Sequence, residues 1–264
     1  MQRACAKTDR MRVRRTGRRK PQADGQCRLC GQHRPLEYSH ILPEFIYKPL
    51  YDSDHEFVEV ASEGHHIKSI FAKGVREHLL CRFCEKRFSK FEDHAARVHR
   101  EMRSRLDTAH VGDLVTVPAS YAQLKLFQLS LLWRAAVSKD PIFHAAQAEA
   151  FEPTLREMLL RDIPGTIYTF PCIGLAPADR PSFVTTIAPG GLGAIRGEPA
   201  IWFTFLGVHW YFMLNEQLPP HEWLPEISAT HLGFRVAVID QTGDSAVERL
   251  AYGDKGPILS TNEM

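Results

Sequence analysis

Two short stretches decide the reading of this chain: Cys27-Arg28-Leu29-Cys30-Gly31, and Leu79-Leu80-Cys81-Arg82-Phe83-Cys84-Glu85. Each contains a Cys-x-x-Cys turn, which presents two sulfurs on one side of a tight loop. Two such turns supply the four thiolates of a tetrahedral zinc site. The other cysteines, Cys5 and Cys172, are single. Nothing beside either pair has the strand–helix pattern of a redox dithiol. The basic N-terminus is not followed by a hydrophobic segment, so no secretory leader is expected. In the reducing cell interior thiolates hold metal rather than pair as disulfides. A structural Zn²⁺ on Cys27, Cys30, Cys81 and Cys84, in a cytoplasmic protein, is therefore expected.

The segments around these turns have distinct patterns. Residues 1–24 are rich in Arg and Lys without apolar periodicity, and predict a disordered basic arm. After the first turn, Leu36, Tyr38 and His40 alternate with polar neighbours and predict a strand that ends before Pro43. Residues 51–75 mix Asp, Ser, Gly and His with short apolar runs, and predict a loop or an irregular hairpin. From Glu85 the period changes: Phe88, Phe91, Ala95, Val98, Met102 and Leu106 recur at spacings of three and four. Lys86, Arg87, Lys90, Arg97, Arg100 and Arg103 fall largely elsewhere, so an amphipathic helix with a basic outer surface is predicted. Tyr121 to about Ser138 is apolar nearly all round and predicts a buried central helix. A further helical stretch is predicted over about 141–162, with Pro153 at a break or first turn.

After Gly165 the composition shifts to aromatic and β-branched runs: Thr166–Phe170, Phe183–Ile187, Ala200–Leu206, Val208–Leu214 and Phe234–Ile239. The pair flanking Gly207 predicts a hairpin. Helices first and strands afterwards predict an α+β class. Its expected parts are a zinc module over 25–106, a helical region over 107–164 and a mostly antiparallel β-rich region over 165–264.

Composition limits the function classes. Apolar residues are 44% and charged residues 24% of the chain, which excludes a wholly disordered or fibrous protein. No apolar run approaches the ~20 residues that span a bilayer, so no membrane role is expected. The net charge of +2 conceals an asymmetry: residues 1–105 carry 23 Lys/Arg against 14 Asp/Glu, whereas 106–264 carry 10 against 17. A basic front half points to a polyanionic partner, most simply nucleic acid. Arg82, Lys86, Arg87 and Lys90, at the start of the basic helix, are the candidate phosphate contacts. The alternative for such a run is a solvated face.

The order of features is a cysteine turn, a strand ending in Ser39-His40-Ile41-Leu42-Pro43, an insertion, Leu79-Leu80-Cys81, a second turn and a helix. Over residues 25–106 it resembles the HNH endonuclease superfamily, whose ββα-metal (treble-clef) fold often carries four cysteines beside the catalytic hairpin. Ser-His-Ile-Leu-Pro, Leu-Leu-Cys-x-x-Cys-Glu and Ser130-Leu131-Leu132-Trp133-Arg134 resemble a bacterial HNH-like group, extending the likeness to about residue 138. The resemblance implies a metal-dependent endonuclease hydrolysing DNA phosphodiester bonds, of the kind associated with defence against phage or mobile elements. It implies His40 as general base, with a catalytic Mg²⁺ or Mn²⁺ at the positions of Ser39 and Glu85. The family usually has Asp or His at the first of these and Asn or His at the second. Its middle Asn has no clean counterpart, and Glu77 or His78 is nearest.

The departures at Ser39 and Glu85 favour an alternative: a non-catalytic zinc module that binds nucleic acid or a protein. There the acidic C-terminal half would offer a docking surface for a partner or a second copy. Glu85 also has a simpler reading as a favourable acid in the first turn of a helix. His78, His65-His66, His94 and His99 are expected on solvated surface unless the site recruits them. Trp133 and Arg134 read as packing residues, and Trp202, Phe203, Trp210 and Tyr211 as sheet core.

Overall fold

The computed structural model describes residues 23–51, 56–60, 67–72, 74–140, 143, 148–178, 187, 192–195, 198–215 and 227–240. The expected basic arm up to residue 22, His65-His66 and most of the Phe183–Ile187 run lie outside them. The fold is mixed α and β, with antiparallel sheets and the four cysteines near its N-terminal end.

Three strands build the first sheet in the order β1 (Ala23–Gln26), β2 (His33–His40) and β5 (Arg76–Cys81), all antiparallel. A short helix α1 (Glu44–Tyr47) follows Pro43, which takes the N-cap position where its missing N–H costs nothing. Strands β3 (Glu56–Val60) and β4 (Ile67–Ala72) form a separate hairpin with a register shift at Glu59/Val60, the irregular hairpin expected there. Helix α2 (Arg82–Leu106) then starts within the second cysteine turn. Phe88, Phe91, Ala95, Val98, Met102 and Leu106 are all buried, as the 3–4 spacing requires of one helix face.

Strand β6 (Leu114–Val117) leads into helix α3 (Tyr121–Val137), whose residues from Leu124 to Ala135 are buried without exception. This helix packs against α2, against α4 (Glu152–Leu160) and over the larger sheet. Of the helical stretch predicted over about 141–162, the described residues hold a 3₁₀ turn at Ala148–Phe151 and then α4, with Pro153 in its first turn; residues 141–142 and 144–147 lie outside them.

The larger sheet has seven strands. It runs β8 (Leu192–Ile195), β9 (Glu198–Phe205), β10 (Val208–Met213), β7 (Cys172–Pro177) and β12 (Gly233–Ile239). β11 (Ala229–Thr230) and β6 both pair with β12. Among the described residues only the β7–β12 pair is parallel, and the expectation of a mostly antiparallel region holds there. The β9–β10 hairpin turns at Leu206-Gly207, as expected. Thr166–Phe170 is not a strand but a turn, closed by Thr169 N–H to Thr166 O and by hydroxyl contacts between the two threonines. β6 lies in what was expected to be helical chain, and its pairing with β12 ties that region to the C-terminal sheet.

The principal core is continuous from Cys27 and Leu29, through α2 and α3, to Phe203, Phe205, Trp210, Phe212 and Phe234. Against the expectation of a surface residue, His99 is buried inside this aromatic layer. Phe234, Trp210, Phe45, Phe127 and Phe205 surround it with ring centroids 4.9 to 6.2 Å away. Burial pushes its pKa down to about 3, so the ring is neutral. Lys125, also fully buried on α3, donates from Nζ to Phe170 O at 2.8 Å. Burial lowers its ammonium to about 7. Among the described residues no helix is long and apolar enough to cross a membrane.

Candidate metal centre and adjoining strand-end site

The two cysteine turns meet because β5 brings the second alongside the first. Arg28 N–H donates to Leu79 O at 3.0 Å, and Cys81 N–H donates to the Cys27 sulfur at 3.3 Å. The first turn is closed by Gly31 N–H to Cys27 O at 2.8 Å, and Arg156 of α4 docks against it by donating to Leu29 O at 2.6 Å. As a result the sulfurs of Cys27, Cys30, Cys81 and Cys84 all lie within 4.8 Å of one another.

A tetrahedral ion held at ~2.3 Å by each sulfur requires sulfurs about 3.8 Å apart. Cys30 and Cys81 are at 3.9 Å. Four thiolates could not share this space without a cation. Without one, the Cys84 S–H holds the Cys27 thiol far below its usual range, to about 4, while the same contact raises Cys84. Burial raises Cys30 as well. The four-cysteine group is therefore positioned to bind a metal ion. Among the described residues no other group of three or more His, Cys, Asp or Glu side chains converges in this way.

The adjoining site lies where β2 ends against the first turn of α2. Between the pairs Leu36–Cys81 and Tyr38–His78, two steps on β2 face three on β5, so β5 bulges by one residue. The bulge sharpens the local twist. Leu36 stays in the core, whereas Tyr38 and His40, of the same parity, turn outward and Ser39 is buried at 1% exposure. The Ser39 hydroxyl donates to Glu85 Oε2 at 2.8 Å, 46 residues away in sequence. Burial raises the Glu85 carboxyl, while Arg134 and the Ser39 hydroxyl pull the other way. Arg134 is itself buried, ion-paired to Glu92 of α2 and stacked 4.8 Å over Phe88.

His40 faces away from Ser39 and pairs with Arg76 across the β2–β5 ladder. Arg76 Nε–H donates to His40 Nε2 at 2.8 Å, which requires a lone pair on that nitrogen. His78 is exposed and packs against Tyr38, ring centroids 5.1 Å apart. Glu77 points elsewhere: it accepts from the Ser138 hydroxyl, from Lys139 N–H at 2.9 Å and from Asp140 N–H at 3.2 Å, anchoring the chain after α3.

Of the residues predicted from sequence, the structure brings together the four cysteines, and separately Ser39 with Glu85, while His40 faces away from that pair toward Arg76. His78 lies opposite Tyr38, two cross-strand pairs away from His40. Arg82, Lys86 and Lys90 are exposed along α2. Arg87 is not available in the same way, because it donates to Leu159 O at 3.0 Å and to Leu160 O, capping the end of α4. Sequence reasoning did not identify Arg76, whose partner His40 is 36 residues away, so no local spacing marks it. Arg134, read from sequence as a packing residue, is buried as expected.

Compared with protein-family models, curated proteins and solved structures, the chain matches none.

Proposed function

We propose that the chain is a zinc-stapled, HNH-type endonuclease that hydrolyses nucleic-acid phosphodiester bonds, with DNA as the expected substrate. The observation that carries this reading is the 2.8 Å contact between Ser39 and Glu85, formed at the residue that precedes His40 in β2. These two positions correspond to the metal-holding positions of that superfamily, and they meet although 46 residues separate them. The four thiolates hold a structural Zn²⁺ that fixes the start of α2, and with it Glu85, against the end of β2.

In this reading His40 takes the proton of the attacking water through Nε2, the nitrogen that already carries the lone pair. Arg76 holds that lone pair in the structure, so the role requires Arg76 to give it up to the attacking water. A hard divalent ion, when bound, stabilises charge on the phosphate and the leaving oxygen. Glu85 would hold it, together with water and the substrate phosphate, a low-ligand arrangement that suits Mg²⁺. Exposed Arg82, Lys86 and Lys90 on α2 supply contacts to neighbouring phosphates, which give affinity without sequence reading.

Plasmid nicking tests the proposal. Wild-type protein with Mg²⁺ or Mn²⁺ nicks supercoiled plasmid, and His40→Ala lowers the rate by about 10²-fold or more. Undiminished cleavage by His40→Ala removes the assigned base, and no cleavage by the wild type with either ion removes the enzyme. A second reading, a non-catalytic module on the same scaffold, is favoured by one observation: Glu77 is already engaged with residues 138–140. That leaves Glu85 as the carboxylate at the strand end. Mn²⁺ titration of the zinc-loaded protein separates the two, since a module without a hard-cation site gives no binding heat.

A further inference from the structure

Resting on the nucleic-acid reading above, we infer that the outer side of α2 along most of its length is the binding face for a duplex. Arg97 and Arg100, in the second half of the helix, make the same kind of phosphate contact as Arg82, Lys86 and Lys90 in the first. At ~100° per residue these five side chains fall within an arc of roughly 80°. That arc lies on the side of the helix opposite the buried Phe88, Phe91, Ala95, Val98 and Met102. All five are exposed. At ~1.5 Å per residue the row from Arg82 to Arg100 is roughly 27 Å long, the axial length of about eight base pairs.

The disposition of the acids separates this row from an ordinary solvated face. α2 carries Glu85, Glu92, Asp93 and Glu101. Glu85 accepts from Ser39, Glu92 pairs with Arg134 of α3, and Glu101 pairs with Arg105. Arg87 is likewise turned off the row, toward the end of α4 and Asp162. Only Asp93 stands within the arc, one negative charge among five positive. Among the described residues none of the five basic groups has a carboxylate within ion-pair distance. Arg82 with Lys86, and Lys86 with Lys90, are like charges four residues apart, which weaken an isolated helix. A polyanion laid along the row removes that repulsion and releases its own counterions. Charges fixed on a straight rod suit a stiff double helix with one phosphate per ~1.7 Å of axis. The row contains no aromatic side chain on which unpaired bases would stack, so a single strand gains less from it.

The experiment measures fluorescence anisotropy of a labelled duplex, and of labelled oligothymidine of equal length, over a series of salt concentrations. The protein is zinc-loaded, without Mg²⁺ or Mn²⁺. The wild type binds the duplex more tightly, and log Kd rises linearly with log salt. Joint Arg97→Ala and Arg100→Ala replacement weakens duplex binding about tenfold or more and lowers the salt slope by roughly two, about 0.9 per lost contact. Joint Arg97→Lys and Arg100→Lys replacement keeps the charge and therefore the slope. Arg161→Ala, which removes a basic side chain of α4 ion-paired to Glu157, changes neither. An unchanged slope in the alanine variant, no duplex binding by the wild type, or oligothymidine held as tightly as the duplex overturns the inference. Polyglutamate bound as tightly as the duplex also overturns it, in favour of an acidic protein partner. Failure of the nuclease alone appears differently: plasmid stays intact with Mg²⁺ or Mn²⁺ while the alanine variant still loses the duplex.

Discussion

The two ends of this molecule are held together by different means. Around β1, β2 and β5 the strands are four, eight and six residues long, and the first turn contributes only Cys27 and Leu29 to the fully buried interior. This small sheet rests on a few apolar side chains, Leu36 on β2 and Leu79 and Leu80 on β5, and the four converging cysteines brace it at one end. The seven-stranded sheet relies on side-chain volume instead. Phe203, Phe205, Trp210, Phe212 and Phe234 are each at most 2% exposed, and the Trp210 ring stacks on Phe205 and Phe234. The candidate site was thus built on the end where four cysteines are positioned to bind a metal ion, while the packed end carries the bulk of the fold.

Removing the metal breaks the comparison most strongly. Structural zinc contributes on the order of 10 kcal/mol where thiolates hold it. Cys27→Ser, or chelation of the wild type, should abolish amide protection in β1, β2 and β5 while β9 and β10 stay protected, as read by hydrogen exchange. A uniform loss across both regions would show that they do not differ. At the packed end, Trp210→Ala should cost about 3–5 kcal/mol in urea unfolding. Metal content should be unchanged, and loss of zinc in that variant would contradict the division.

The buried imidazole of His99 provides a pH test. Its pKa is about 3 in the fold against an ordinary value of 6.5, so acid protonates the unfolded chain first. The contribution is complete above pH 6.5 and falls away as pH drops toward 3, by about 1.4 kcal/mol per unit. Urea midpoints of the wild type and His99→Phe should diverge over that window, with the variant flatter. Parallel curves would place the acid sensitivity elsewhere. The smallest effect concerns the β9–β10 turn, where Leu206 and Gly207 both have positive φ, 56° and 75°. A two-residue turn of this form prefers Asn-Gly. Leu206→Asn should therefore raise stability by up to about 1 kcal/mol, seen as a higher Tm, less what the partly buried leucine contributes.

Much of this was legible in the sequence where the signal is local. The paired cysteines, the one-sided spacing of α2, the all-apolar α3 and the Gly207 hairpin each announce themselves within a few residues. β7 did not, for a physical reason: Cys172–Pro177 is buried at all six positions, so it shows no alternation, and it contains Gly and Pro. That glycine is required there, because a Cβ on Gly174 would lie 2.6 Å from the Trp210 ring, 36 residues onward. β6 was hidden because its pairing with β12 is about 120 residues distant. The interior position of His99 was equally invisible, since its aromatic surroundings come from α1, α3, β9, β10 and β12. At the site, His40, Ser39 and Glu85 could be named from their order in the chain. The Ser39–Glu85 contact, the Arg76 bond to His40 and the diversion of Glu77 and Arg87 depend on long-range packing that no spacing encodes.

The central claim is that four sulfurs gather on one metal ion, and metal analysis combined with thiol titration of the purified full chain tests it most directly. The account predicts one zinc per chain, with Cys27, Cys30, Cys81 and Cys84 unreactive toward a thiol reagent until a chelator withdraws the ion. A chain with no bound metal and four freely reactive thiols at these positions, yet with unchanged protection of β2 and β5, would contradict it.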